Sequence, residues 1–168
     1  MSWFIVQAEQ LFNKIDVVCV CGNHSRITQK DDAAIDERLD NLIPWAIDML
    51  FKTHPCVSVV ESENATLAHT VICGRKYVFC HGDMDQMTQK GISQLSFMMN
   101  EIPYAVCAGH LHYPMMTVVN GVYAIQSGCL SGTGDDYTLS KRLTGMASQT
   151  ILVCSENGIQ GYYPVILK

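Results

Sequence analysis

Residues 104–112 read YAVCAGHLH, a short apolar run that ends at a glycine and two histidines. The same arrangement occurs twice more, as KYVFCHGD at 76–83 and as IDVVCVCGNH at 15–24. Short apolar runs bounded by glycine and polar residues are typical of buried strands. If the three strands lie side by side in one sheet, their ends bring four imidazoles and one amide together.

These side chains indicate a metal site at the edge of a sheet, because imidazole is the commonest ligand of transition metals. His110 and His112 alternate along the chain, and in extended backbone both would face one metal or two adjacent metals. The amide of Asn23 suits Mn²⁺ or Fe²⁺ as well as Zn²⁺. A lone histidine at a strand end is usually a polar cap, which is the interpretation for His54 and His69.

Composition narrows the class of protein. The chain has 168 residues, of which 48% are hydrophobic, and this length suits a single domain over 1–168. The net charge of −5, without a block of Lys or Arg, argues against a large footprint on duplex DNA. No stretch predicts a membrane span, and residues 1–6 lack the features of a signal peptide, so we expect a soluble cytoplasmic chain.

The cysteines favour the same compartment. There are eight, and none forms a C-x-x-C pair. Most lie inside apolar runs, where a free thiol behaves as a small hydrophobic side chain. Reduced, buried thiols are therefore expected, rather than disulfides or a structural zinc site.

The order of elements predicts an α/β or α+β fold with helices outside a sheet core. Hydrophobic periodicity predicts helices at 2–13, 31–52 and 88–100, and Pro44 should kink or divide the second. Glycine-containing turns are expected at 74–75, 120–121 and 157–158. Strands are predicted at 15–21, 56–60, 67–73, 76–80, 104–108, 115–119, 122–126, 149–154 and 158–167.

The three histidine motifs resemble those of the calcineurin-like metallophosphoesterases. That family has a Gly-Asn-His motif, then a lone histidine after a strand, then Gly-His-x-His. Here they are Gly22-Asn23-His24, His81 and the segment 109–112, in the same order. The resemblance covers about residues 15–128. It implies a metallophosphoesterase-like β-sandwich flanked by helices, which hydrolyses phosphoesters with two divalent metal ions (Mn, Fe or Zn).

The resemblance also implies roles for single residues. Asn23, His81 and His110 would bind one metal, and His112 would bind the other. His24 would lie near the leaving group, as an acid or an electrostatic stabiliser.

Two positions depart from the family pattern. The family usually has Asp or Glu after the histidine of its Gly-Asn-His motif, whereas this chain has Ser25 and Arg26. Arg26 would either pair with a substrate phosphate or form a surface salt bridge. The family's Asp-x-His and Gly-Asp-x-x-Asp motifs have no counterpart before Ile15. We therefore expect an N-terminally truncated domain that is feebly active or inactive by itself.

The expected substrate and partners follow from the same resemblance. The substrate would be a nucleic acid, a nucleotide or a phosphoprotein. The segment 127–143 is similar to phage-type members of the DNA-repair exonuclease group, which favours a phosphodiesterase or nuclease acting on DNA or nucleotides. The exposed edge left by the absent strands predicts self-association, or a partner that supplies the missing segment. Otherwise the N-terminal helix predicted at 2–13 would cover the gap. The alternative is a non-catalytic domain that binds a single metal weakly and serves as an assembly piece.

Overall fold

A computed structural model describes residues 1–28, 37–62, 66–132, 140 and 146–167 of the chain. The chain divides into two compact units, Met1–His69 and Thr70–Lys168, and each is described by itself. The single domain expected over 1–168 stays a prediction.

The first unit places two helices on a small parallel sheet. Its elements are α1 (Ser2–Ala8), β1 (Ile15–Val18), a 3₁₀ turn (Leu39–Asn41), α2 (Leu42–Phe51) and β2 (Val57–Val60). β1 and β2 pair in parallel. Alternate strand residues face the helices because side chains of a strand point to opposite faces in turn. The resulting core consists of Ile5, Ile47 and Phe51 packed against Ile15, Val17, Cys19, Val57 and Val59.

Two elements of this unit, helix α1 and strand β1, end earlier than predicted. α1 ends at Ala8 rather than at residue 13, and β1 ends at Val18 rather than at residue 21. Residues 31–36 of the predicted second helix lie outside the described residues. Pro44 neither kinks nor divides α2, because it lies in the first helical turn, where its missing N–H needs no partner.

The second unit is built on a five-stranded mixed sheet. Its strands are β3 (Leu67–Ile72), β4 (Arg75–Cys80), β5 (Ala105–Ala108), β6 (Met115–Val119) and β7 (Val122–Gln126), in the order β3-β4-β5-β7-β6. β3 begins three residues before the boundary between the units. β5 pairs in parallel with both β4 and β7, while β6 and β7 form an antiparallel hairpin. Helix α3 (Gln89–Met98) connects β4 to β5, and the Thr88 hydroxyl caps it by accepting from the N–H of Gly91.

A strand pair, β8 (Ser148–Ser155) and β9 (Gly158–Ile166), packs against this sheet. Its side chains Leu152, Cys154, Ile159 and Tyr162 contact the cluster around Tyr77, Ala105 and Ile125. The predicted α+β class with a sheet core is confirmed.

The hairpin turns are partly as predicted. Asn120 and Gly121 have φ of 51° and 80°, as expected for a tight hairpin turn. The turn before β4 lies one residue earlier than predicted, at Cys73 (φ 50°) and Gly74 (φ 76°). None of the eight cysteines forms a disulfide, and none of the described helices is long and apolar enough to cross a membrane.

Candidate metal centre

Two of the predicted ligands, His81 and His110, are neighbours in the structure. β4 and β5 pair in parallel so that Cys80 lies opposite Ala108, and both strands therefore deliver the next residues to the same edge of the sheet. Nδ1 of His110 lies 3.2 Å from Nε2 of His81, and the two rings meet edge to face. The expectation that these two side chains converge is confirmed. We call them the histidine pair.

Gly82 allows the chain to turn away directly behind His81. Its φ is 104°, a conformation that L side chains rarely adopt. A Cβ at this position would lie 3.2 Å from Cβ of Ala108 and 3.4 Å from Cβ of His110. A side chain at position 82 would therefore strain the backbone and press against the strand that carries the second histidine.

The segment 109–112, here called the histidine turn, is not extended. His110 and His112 have φ of 61° and 62°, in the left-handed region. The N–H of Leu111 donates to the carbonyl of Gly109 over 2.8 Å, which closes a three-residue turn around His110. The prediction of extended backbone is therefore wrong here. The rings of His110 and His112 were expected to face the same way only because of that extended backbone. Strained backbone of this kind concentrates at functional sites.

His112 carries a polar atom that none of the described residues satisfies. Its Nδ1 is buried and has no hydrogen-bond partner within the described part of the chain. An unsatisfied buried polar atom costs about 1–3 kcal/mol, so this nitrogen fits a bound group from outside the chain. However, the described residues include no group of three or more His, Cys, Asp or Glu side chains placed to hold one ion. The structure thus brings His81 and His110 together without gathering His112 into the same cluster.

The geometry of the histidine pair suits a shared metal ion. Metal–nitrogen bonds are about 2.1 Å long, so two nitrogens 3.2 Å apart reach one ion at an angle of about 100°. This angle lies between those of octahedral and tetrahedral coordination. The assignment of His81, His110 and His112 as metal ligands itself stays a prediction.

The histidine pair adjoins a cleft of about 370 Å³, lined among others by Asp83, His110 and Gln126. Gln126 is buried at the end of β7, and its side-chain amide donates to the main-chain oxygen of Tyr113. Burial, together with the charge of Asp83, raises the pKa of Asp85. Sequence reasoning missed Gln126, although its place at the end of a predicted strand beside the histidine strands could have indicated it.

The loop that carries Asn23 and His24, residues 22–25, lies in the first unit and is here called the asparagine loop. The Asp40 carboxylate accepts from the N–H of Gly22 over 2.8 Å and from the hydroxyl of Ser25 over 2.6 Å. Arg38 donates to the carbonyl of Gly22 over 2.7 Å. Sequence reasoning missed Asp40, because no spacing rule connects the loop to a carboxylate 18 residues further on.

The remaining predicted residues differ in exposure. His24 is exposed, while Asn23 and Arg26 are partly buried. The Arg26 guanidinium donates to the main-chain oxygen of Asn23, so it folds back onto the asparagine loop. The convergence of Asn23 and His24 with the histidine pair involves both units and stays a prediction, as does a contact between Arg26 and substrate.

Comparison with solved structures defines the class of fold. An archaeal phosphodiesterase matches 99% of this chain over 77% of its own length, with 17% identity and a TM-score of 0.53. A single mutant of Vps29 from Entamoeba histolytica matches 99% of this chain over 89% of its length, with 12% identity and a TM-score of 0.52. Wild-type Vps29 from the same organism, in complex with Zn²⁺, matches 96% over 87%, with 14% identity and a TM-score of 0.51.

These likenesses show the fold alone, which is that of the calcineurin-like metallophosphoesterases. No protein-family model matches the chain, and no curated protein is similar to it in sequence.

Proposed function

We propose that this chain is a metal-dependent phosphoester hydrolase domain of the phosphodiesterase or nuclease type. The observation that carries the proposal is the histidine pair, two imidazole nitrogens 3.2 Å apart at the ends of adjacent parallel strands. The fold shared with an archaeal phosphodiesterase supports the same chemistry. The complex of a structural neighbour with Zn²⁺ supports a divalent ion, with Mn²⁺ and Fe²⁺ as the other candidates.

The proposed ligands divide between two ions. His81, His110 and Asn23 would hold one. His112 would hold the other through the ring whose Nδ1 has no partner in the described part of the chain. When bound, such ions activate a water molecule and neutralise charge on the phosphoryl oxygens.

The protein's own groups would position and stabilise the substrate. His24 would stabilise the leaving oxygen, either as a proton donor or by its charge. Arg26 would pair with a phosphate oxygen, since the guanidinium has further N–H groups besides the one that binds Asn23. Gly82 allows the sharp turn behind His81 without a side chain that would press on His110. The cleft of about 370 Å³ falls within the size range of small-molecule sites.

The substrate would be a nucleotide or a strand end rather than a long duplex. The chain carries a net charge of −5 and no basic block, whereas duplex binding relies on many phosphate contacts by Lys and Arg. Eight cysteines without a disulfide favour a reducing compartment, so we propose that the activity is cytoplasmic.

A second function is favoured by one observation. The described residues contain no group of three or more His, Cys, Asp or Glu side chains arranged for one ion. A site of two imidazoles binds a metal weakly, which suits a non-catalytic domain that serves as an assembly piece.

The hydrolysis of a generic aryl phosphodiester, with and without Mn²⁺, tests the proposal. We expect slow turnover that requires the metal and falls at least tenfold in His110→Ala, while the matched control His69→Ala keeps it. A fused segment with the Asp-x-His and Gly-Asp-x-x-Asp motifs should raise turnover strongly. Metal binding without any turnover, even with that segment, would favour the assembly function.

A further inference from the structure

Helix α2 is apolar on both of its faces. Ile47 and Phe51 point into the core of the first unit. Leu42, Trp45 and Met49 follow the helical spacing i, i+3, i+7 on the other side, and they are 58%, 64% and 53% exposed. A helix that is hydrophobic all round is normally a buried helix. The outer side of α2 therefore has the composition of a covered surface.

Helix α1 shows the same property. It buries only Ile5, whereas Trp3 and Phe4 are 73% and 69% exposed. Both helices contribute to one core cluster, through Ile5 on α1 and Ile47 on α2, so they are neighbours on the same side of the sheet. We call the exposed set the outer helical face, which comprises Trp3, Phe4, Leu42, Trp45 and Met49.

The exposed area is large enough for a protein interface. An aromatic side chain offers about 150–250 Å², so the three exposed rings alone contribute roughly 300–500 Å². The largest apolar patch on a typical monomer is about 300–600 Å² in total. Each partner in a stable complex buries about 800 Å². With Leu42 and Met49 added, the outer helical face approaches what a dimer requires.

The charges on the two helices indicate which partner fits. α1 contains no charged residue, and Asp48 is the one charged residue of α2. A two-fold dimer places a patch against its own copy, and an uncharged patch meets no repulsion there. Helices that lie on membranes carry Lys or Arg beside their apolar face. Neither helix has one, and the net charge of −5 opposes an anionic lipid surface.

We propose that the outer helical face is the interface of a two-fold dimer of this chain. The outer helical face belongs to the first unit, and the histidine pair belongs to the second. It differs from pairing through a strand edge, because the contacts are between helices.

Sedimentation velocity over the micromolar range tests the interface. We expect the wild-type protein to shift from monomer to dimer with concentration, and Trp45→Ser to weaken dimerisation at least tenfold. Phe97→Ser is the matched control, since Phe97 is an exposed aromatic residue on α3 in the second unit. A wild-type protein that stays monomeric throughout overturns the proposal, as does an equal loss in Phe97→Ser.

A second measurement locates the interface with a conservative substitution that keeps an aromatic ring at position 3. The chain has two tryptophans, so Trp3→Phe leaves Trp45 as the sole indole reporter. Its emission should move to shorter wavelength as dimer forms, and should not respond to added anionic phosphatidylserine vesicles at concentrations where the protein is monomeric. Emission that stays constant while the mass doubles, or that shifts on vesicles alone, contradicts the proposal.

Discussion

The asparagine loop and the histidine turn carry two of the three histidine motifs, but they are held in different ways. The asparagine loop depends on a distant carboxylate, since Asp40 binds both Gly22 and Ser25. The histidine turn depends on its own backbone and on strand pairing. The N–H of Gly109 donates to the carbonyl of His81, and the parallel strands fix both positions. The asparagine loop should therefore be sensitive to the loss of a single side chain. The histidine turn should be sensitive to changes in backbone conformation.

The largest effect is expected from Asp40→Ala. The substitution removes two hydrogen bonds to a charged group and leaves the N–H of Gly22 without that partner, which should cost about 2–3 kcal/mol. Urea unfolding measures the loss, and hydrogen exchange at Gly22 localises it. Asp48→Ala is the control, an exposed acidic residue of the same unit. Equal stability of the two variants would show that Asp40 does not hold the loop.

Gly82→Ala should have the next largest effect, about 1–3 kcal/mol, because it forces a side chain into a strained backbone conformation. The new Cβ would also lie 3.4 Å from that of His110 and should disturb the histidine pair. Gly74→Ala separates the two causes, since Gly74 also has positive φ, but a Cβ there would meet no atom of the described residues within 4 Å beyond its chain neighbours. If both variants lose the same stability and keep the same imidazole NMR shifts, the close contact at Gly82 has no effect.

Asp85→Asn should stabilise the second unit modestly at neutral pH. The pKa of Asp85 is raised by burial and then by Asp83, so its ionisation opposes folding. The penalty is absent below the ordinary pKa of 3.8, and it grows as the pH rises through the raised folded value. Thermal melting of both proteins at pH 7 and at pH 3 checks this, because the gain should disappear in acid. A gain of the same size at both pH values would contradict the burial of this carboxylate.

The smallest effect is expected from Glu9→Gln. Like Asp40, Glu9 is a carboxylate of the first unit that binds residues distant in sequence, here His54 and Cys56. Hydrogen bonds from Cys56 and then His54 lower the pKa of Glu9 below 4.5. Its contribution to stability is therefore present above pH 4.5 and is lost as the pH falls through the lowered folded value. Glu9→Gln should therefore reduce the dependence of the free energy of unfolding on pH below pH 4.5, as measured by urea unfolding at a series of pH values. An unchanged profile would show that the Glu9 carboxylate does not contribute through its contacts with Cys56 and His54.

The sequence predicted the histidine pair because parallel strands place their ends at one edge, and apolar runs identify such strands well. It did not predict the left-handed backbone of His110 and His112, since residue type rarely encodes positive φ outside glycine. It also missed Asp40, because a contact between a loop and a later turn has no local signal. The sequence also did not predict the early end of α1. Leu11 and Phe12 continue the helical pattern of apolar residues, but both are exposed in the structure.

Metal binding by the histidine pair is the central claim, and calorimetric titration with Zn²⁺ and with Mn²⁺ tests it most directly. The wild-type protein should bind the metal, and both His81→Ala and His110→Ala should lose at least tenfold in affinity. His69→Ala, a histidine on β3, should bind as the wild type does, and circular dichroism should show that all three variants are folded. Folded His81→Ala and His110→Ala variants that retain wild-type affinity would contradict the claim.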